Sequence, residues 1–284
     1  MTPPRFSAAV LTSLAVRLTP RDRRILRAIW THRVLTSHHI QRLYFDTDAA
    51  TRKRLLILTH MGVLERFRPN QPIGSGAAPY HYVLGAAGAA VLAAEDGVDY
   101  ATFGYRRDRV LAIAHNQRLG HHVGVNTFFT DLAWHSRHSA DAELLKWWPE
   151  HRCTAMWGES ARPDGYGRWS ENGLTLDFFL EYDNGTEPLD RVSAKLNGYA
   201  ALALATTIVT PVLYSLHSNR RETNLRTRLR TDLAPVATAT RTAEDSPAGP
   251  IWLPLESTGP RLCLAELAHH WPHLGRTTPE VTPR

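Results

Sequence analysis

The sequence predicts an α/β (α+β) protein, with a helical N-terminal third ending in a hairpin, then a mixed sheet flanked by helices. Three observations predict it. Residues 19–61 carry apolar side chains at helical spacing in three short blocks. Two strand-like runs, "VLERF" and "YHYVL", then flank the Pro/Gly-rich "RPNQPIGSGAAP". Beyond residue 105, β-forming runs alternate with helical patterns in the order helix, three strands, helix, strand, helix.

The bulk numbers narrow the class. The chain has 284 residues, 43% hydrophobic and 21% charged, which suits one large or two small globular domains. The longest apolar run, "YAALALATTIVTPVLYSL", is interrupted by Thr206, Thr207, Thr210 and Pro211, so no membrane span or membrane partner is expected. The N-terminus lacks the continuous apolar stretch of a secretory signal. Cys153 and Cys263, the only cysteines, form no CxxC pair; this suits a reducing cytoplasm and argues against a thiolate zinc site. The net charge is +6, concentrated in "RLTPRDRRILR", in "TRKR" with "ERFR", and in "NRRETNLRTRLR".

Residues 1–17 read as an N-terminal arm, and residues 18–100 as a first domain. In that domain Thr19 caps a helix with Pro20 at its first position, and Ile25, Leu26, Ile29 and Trp30 form its buried stripe. Thr36 or Ser37 caps a second helix carrying Ile40, Leu43 and Tyr44. A third runs from about Asp48, buries Leu55, Leu58 and Met61, and ends at Gly62. Three helices followed by a two-stranded wing is the order of a winged helix-turn-helix, whose third helix enters the major groove of double-stranded DNA. Thr51, Arg52, Lys53 and Arg54 read as the part of that helix not used by Leu55 and Leu58, and Arg66 and Arg68 flank the wing. These six are the expected DNA contacts. A winged module that mediates protein contacts has the same pattern.

A second domain spans 105–241. "RRDRVLAIAHNQRLGHHVGVNTFFTDLAWHSRH" reads as a long helix with a break at Gly120 or Gly124. The spacing of His115, His121 and His122 does not match the His-x-x-x-His pair of a helical metal site. Strands follow in "AELLKWWPEHRC", "ARPDGYGRW" and "LTLDFFLEYDNG". "PLDRVSAKLNGYAALALA" reads as a helix with Leu189, Val192, Leu196 and Tyr199 on one side, "TIVTPVLYSL" as a buried strand, and "NRRETNLRTRLRTDL" as another helix. In the extension, 242–284, "IWLPL" reads as a strand, "RLCLAELAHHW" as one helix and "PHLGRTTPEVTPR" as disordered.

That order, with "PDGYGRW", "FFLEYDNGTE" and "RVSAKLNGY", resembles the PD-(D/E)XK nuclease fold. Together with the winged helix before it, the stretch from about 18 to 217 is similar to the replication-relaxation family of actinobacterial plasmids and mobile elements. The resemblance implies a cytoplasmic DNA-binding protein of a plasmid or integrative element. It would act in replication initiation or conjugative transfer, as a metal-dependent, relaxase-like nicking endonuclease. Its implied partners are double-stranded DNA and replication or transfer proteins of the same element, with a homodimer also open.

Phosphodiester hydrolysis with Mg2+ or Mn2+ needs carboxylates that converge on one hard cation. The resemblance puts Asp164 and Glu181 in that role. Strand alternation places Asp177, Phe179, Glu181 and Asp183 on one face. The nuclease pattern requires Lys at position 183, where this chain has Asp; Lys195, on the next helix, is the residue able to replace it, and Tyr199 shares its face. Glu150 is a further carboxylate near the first strand. Two other readings stay open: a catalytically inactive nuclease fold serving as a DNA-binding accessory protein, and a transcriptional regulator. No Walker-type loop and no GxSxG elbow occurs, so neither nucleotide hydrolysis nor that serine chemistry is expected.

Overall fold

Helix starts fix the first unit. The Thr19 hydroxyl accepts the Asp22 N–H and the Asp22 carboxylate accepts the Thr19 N–H, a reciprocal cap with Pro20 next in line. Thr36 and His39 repeat the device, with the His39 ring in the carboxylate's place. Thr47 caps the third helix of the set.

The computed structural model describes residues 6–69, 76–229, 234–242, 245–271 and 274. It is a mixed α/β fold in two compact units, 1–127 and 128–284. The first unit holds α1 (Ala8–Arg17), α2 (Pro20–His32), β1 (Leu35–Thr36), α3 (Ser37–Tyr44), α4 (Asp48–His60), β2 (Leu64–Phe67), β3 (His81–Leu84), α5 (Ala86–Glu95) and α6 (Arg107–Leu111). It also holds the start of α7 (Leu119–His138). Its small antiparallel sheet has the order β1-β3-β2. Part of the expected wing loop, residues 70–75, lies outside the described residues.

Two features of this unit depart from the sequence reading. The expected arm contains a helix, α1, and the alanine-rich stretch after β3 forms α5. Nearly all of α5 is buried, so it has no polar face and hence no amphipathic period to reveal it. It can pack this closely because Gly88 lies against the Val63 carbonyl, which a Cβ there would meet at 2.3 Å. The expected break in the long helix comes earlier than Gly120 or Gly124. A 3-10 turn over Ala112–His115 ends at Asn116, whose side-chain oxygen accepts the Arg118 N–H at 2.8 Å, and α7 then runs unbroken through both glycines.

The second unit continues with β4 (Ala142–Pro149), α8 (Glu150–Trp157), β5 (Gly165–Glu171), β6 (Leu174–Asp183), α9 (Leu189–Thr206), β7 (Val212–Leu216), α10 (Asn219–Arg226), β8 (Val236–Thr240), β9 (Leu253–Pro254) and α11 (Leu267–His270). One six-stranded sheet runs β4-β5-β6-β7-β8-β9, antiparallel except for the parallel pairs β6–β7 and β7–β8. Asn172-Gly173 joins β5 to β6 with positive φ at both residues, the turn whose twist suits a tight hairpin. Phe128 and Phe129 of α7 pack on Phe178 from one face of the sheet. On the other, Val192, Leu196 and Tyr199 of α9 and Leu225 of α10 join Phe179, Val212 and Tyr214 in a single buried cluster.

Here too some elements differ from expectation. Residues 150–157 leave the first strand as α8, because Pro149, which has no N–H to pair, takes the cap position. The helix expected over 219–233 is described only to Arg226 and that over 261–271 only as α11; residues 230–233, and all of the terminal stretch read as disordered except Leu274, lie outside the described residues. The "IWLPL" strand is present as β9 and extends the same sheet. Arg226 ties it down by donating to the carbonyls of Leu253, Pro254, Leu255 and Ser257. Among the described residues no helix is long and apolar enough to cross a membrane.

His39 makes the first unit acid-sensitive. Burial, with smaller effects from nearby cationic groups, pushes its imidazole down to about 3 from an ordinary 6.5, while Nε2 meets the Thr127 hydroxyl at 2.8 Å. A base with a depressed pKa in the folded state stabilises above its unfolded value and loses that contribution as pH falls. Urea unfolding should therefore show a loss of about 2 kcal/mol between pH 7 and pH 5 from this residue. His39→Gln, which can keep the cap, should flatten that dependence; an unchanged slope would assign the acid sensitivity elsewhere.

Candidate functional site

The carboxylates of the second unit meet through strand register. Gly165 stands opposite Leu180, so Asp164, one residue earlier, falls opposite Glu181, and Glu181 in turn pairs in register with Tyr214 of β7. Facing side chains on adjacent antiparallel strands have Cβ atoms about 4.5–5.5 Å apart. Asp164, Glu181 and Tyr214 thus form a row across three strands, at the carboxyl end of β6, and all three are buried.

Each carboxylate is held by named donors. Asp164 accepts the Tyr182 N–H at 2.9 Å and donates its own N–H to the Leu180 carbonyl. Glu181 Oε2 accepts from Lys195 Nζ at 2.9 Å, and Oε1 from the Tyr199 hydroxyl. Lys195 also reaches Glu187, at 3.3 Å. Lys195 and Tyr199 are one helical turn apart on α9, so both can point at one residue. Asp183, on the same strand face, is engaged differently: it accepts the Gly185 N–H at 2.7 Å and the Arg221 Nε–H at 2.6 Å. Glu150 starts α8 and belongs to none of these contacts.

The charges of this row are unequal. Burial first, and then the charge of Asp164, push Glu181 up to about 7, against the opposing pull of Lys195 and Tyr199. Burial alone would lower Lys195, yet Glu181 and Asp164 hold it above its ordinary value. Burial and Glu181 raise Tyr199, and burial with both carboxylates raises Tyr214. The Tyr214 hydroxyl is buried and, among the described residues, makes no hydrogen bond. Two buried carboxylates, one ammonium and a phenol hydroxyl without a hydrogen bond therefore stand side by side among the described residues. Among the described residues no group of three or more His, Cys, Asp or Glu side chains is placed to hold a metal.

In the first unit the basic residues divide. Arg52 and Lys53 are exposed on α4, and Arg52 pairs with Asp48 one turn back at 3.0 Å. Thr51 is buried with Leu55 and Leu58, on the stripe it was expected to avoid, because positions 51, 55 and 58 share one helix face; its hydroxyl donates to the Thr47 carbonyl. Arg54 turns inward to Asp22, with Nε at 2.8 Å from Oδ1, and also donates to the Arg17 carbonyl. Burial would raise the Asp22 carboxyl, but hydrogen bonds from Arg54 and Thr19 hold it below its ordinary value. Arg66 and Arg68 are exposed on the hairpin, and both stack on Tyr80. Arg52, Arg66, Arg68, Ser37, His38 and Tyr80 line one cavity of about 350 Å3.

Sequence reasoning missed Tyr214, Arg221 and Tyr80. Tyr214 sits in an apolar run, and only the pairing of β6 with β7 sets it beside Glu181. Arg221 belongs to a basic stretch in which nothing marks it as the partner of Asp183. Tyr80 opens the run read as the strand "YHYVL", where an aromatic residue is ordinary strand composition.

Arg54 and Arg52 should respond differently to truncation. Arg54→Ala strands a fully buried carboxylate and should cost about 2–4 kcal/mol in unfolding free energy. Arg52→Ala should stay within about 0.5 kcal/mol. Equal effects in thermal or urea unfolding would refute the division of the helix into an inward and an outward cation.

The profile of one protein family, described as Replication-relaxation, matches residues 26–213. No curated protein and no solved structure matches the chain.

Proposed function

Since the chain belongs to the replication-relaxation family, which gives it a replication-related role, we propose that it grips double-stranded DNA of a plasmid or integrative element and nicks it at Asp164 and Glu181. The observation that carries this reading is the convergence of Asp164, Glu181 and Lys195 at the carboxyl end of β6, the last reaching in from α9 to 2.9 Å. The loss of a lysine at position 183 is thereby made good from another element.

A hard divalent cation fits this donor set. Burial first, and then the nearby Asp164 charge, push Glu181 up to about 7, and a cation between the two carboxylates would relieve the second of these effects. Their oxygens are the ligand type that Mg2+ and Mn2+ take, often one or two carboxylates with several waters retained. Bound there by Asp164 and Glu181, the ion would polarise a phosphoryl oxygen and activate water.

The remaining roles belong to the chain. Lys195, oriented by Glu181 and Glu187, offers positive charge to the phosphate as an oxygen–phosphorus bond to water forms and the bond to the leaving sugar oxygen breaks. Tyr199 fixes the second oxygen of Glu181. Arg221 holds Asp183 in the turn and out of the donor set. In the first unit, Arg52, Lys53, Arg66 and Arg68 grip the duplex, and Thr51 and Arg54 support the helix from inside. Replication or transfer proteins of the same element would be further partners.

One observation favours an accessory DNA-binding protein without catalysis: both oxygens of Glu181 are already engaged by Lys195 and Tyr199. Nicking of supercoiled plasmid carrying the cognate origin, with Mg2+ or Mn2+, separates the two. The catalytic reading expects cutting by the parent, and a loss of at least about a hundredfold in Asp164→Asn and Lys195→Met with duplex binding retained. No cutting by the parent would favour the accessory reading, and cutting by parent and Asp164→Asn alike would remove Asp164 from the site.

A further inference from the structure

The hairpin of the first unit carries an arrangement that its basic composition does not explain. Arg66 and Tyr82 are paired across β2 and β3, and alternation sets Arg66, Arg68, Tyr80 and Tyr82 on one side of it. The Arg66 guanidinium lies 4.1 Å from the Tyr80 ring centroid and that of Arg68 lies 4.0 Å from the same centroid. Two like charges against one ring repel each other. Several other guanidiniums of this unit are matched with carboxylates: Arg23 with Glu95, Arg27 with Asp96, Arg54 with Asp22, Arg107 with Glu65. Among the described residues neither Arg66 nor Arg68 has an acidic partner, and the one carboxylate lining their cavity, Asp48, is engaged by Arg52.

We propose that Tyr80 is a positioning residue that presents Arg66 and Arg68 together as a preassembled clamp for one backbone phosphate of duplex DNA. The proposal rests on the reading of the first unit as the part that grips DNA, and it names what this face takes: a phosphodiester, not a base edge. A guanidinium stacked on an aromatic face still turns N–H groups outward for contact with phosphate oxygens, Arg66 also meeting the Tyr82 side chain, and stacking limits the side-chain freedom lost on binding. Ser37 and His38, at the start of α3, line the same cavity as the two arginines.

The test measures binding of the full chain to a 30-base-pair duplex of arbitrary sequence, to inorganic polyphosphate and to poly-glutamate, over a series of salt concentrations. Tyr80→Ala should weaken duplex and polyphosphate binding at least about fivefold, whereas Tyr80→Phe, which keeps the aromatic face, should stay within about twofold of the parent. Arg66→Gln with Arg68→Gln should flatten the slope of log affinity against log salt by about 0.9 for each phosphate that the pair no longer neutralises. Polyphosphate binding that depends on Tyr80 supports the clamp even if the duplex does not bind, in which case the DNA reading fails alone. Binding by the parent to neither phosphate probe, unchanged binding in Tyr80→Ala, or equal Tyr80-dependent capture of poly-glutamate would overturn it. Should Tyr80→Ala fail to fold by circular dichroism, the arginine pair decides: an unchanged salt slope overturns the clamp.

Discussion

The second unit is organised around buried negative charge. Glu181 is almost wholly removed from water near the carboxyl end of β6, with Asp164 opposite it. A buried carboxylate is tolerated only when it is paired and hydrogen-bonded. That requirement accounts for much of the surrounding design. It places a lysine and a tyrosine one turn apart on α9, draws that helix against the sheet at this level, and makes Arg221 serve Asp183. The same device recurs away from the site, where Glu222 is held by Arg261, Thr238 and Thr240 and thereby binds the C-terminal extension to the sheet. There every lone pair is directed at structure. At Glu181 the compensation is incomplete, for the carboxyl is still pushed upward and the Tyr214 hydroxyl beside it is unused.

The first unit solves a different problem, that of displaying cations without losing the helix that carries them. Helix α4 turns Arg54 in and Arg52 and Lys53 out. Arg54 is matched with Asp22, whose second duty is to close the cap of α2, so one ion pair ties the start of α2 to the middle of α4. Arg52 and Lys53 then remain at the surface, with Arg66 and Arg68 on the hairpin. The unit separates its structural cations from its available ones by burial of their partners.

The sequence disclosed most of this where local physics decides. The cap at Thr19, the three helical blocks, the hairpin strands, and the succession of β5, β6, α9, β7 and α10 follow from periodicity and turn chemistry and are present in the structure. What it concealed depends on tertiary packing. α5 has no polar face to mark it, α8 interrupts a run of strand-forming residues, and the facing of Thr51 and Arg54 is set by which side of α4 the core occupies. The row Asp164–Glu181–Tyr214 needs two strand pairings at once, and only its Asp164 and Glu181 half was implied beforehand, by the family resemblance. The reach of Lys195 followed from its place on the helix after β6.

We propose that Asp164 and Glu181 together receive a divalent cation. Calorimetric titration of Mn2+ into the full chain, beside the same titration of Asp164→Asn, tests it without reference to cutting. The account predicts one Mn2+ site in the parent that is lost in the variant while both proteins keep the same circular dichroism; a parent that binds no Mn2+, or a variant that binds it equally well, would contradict it.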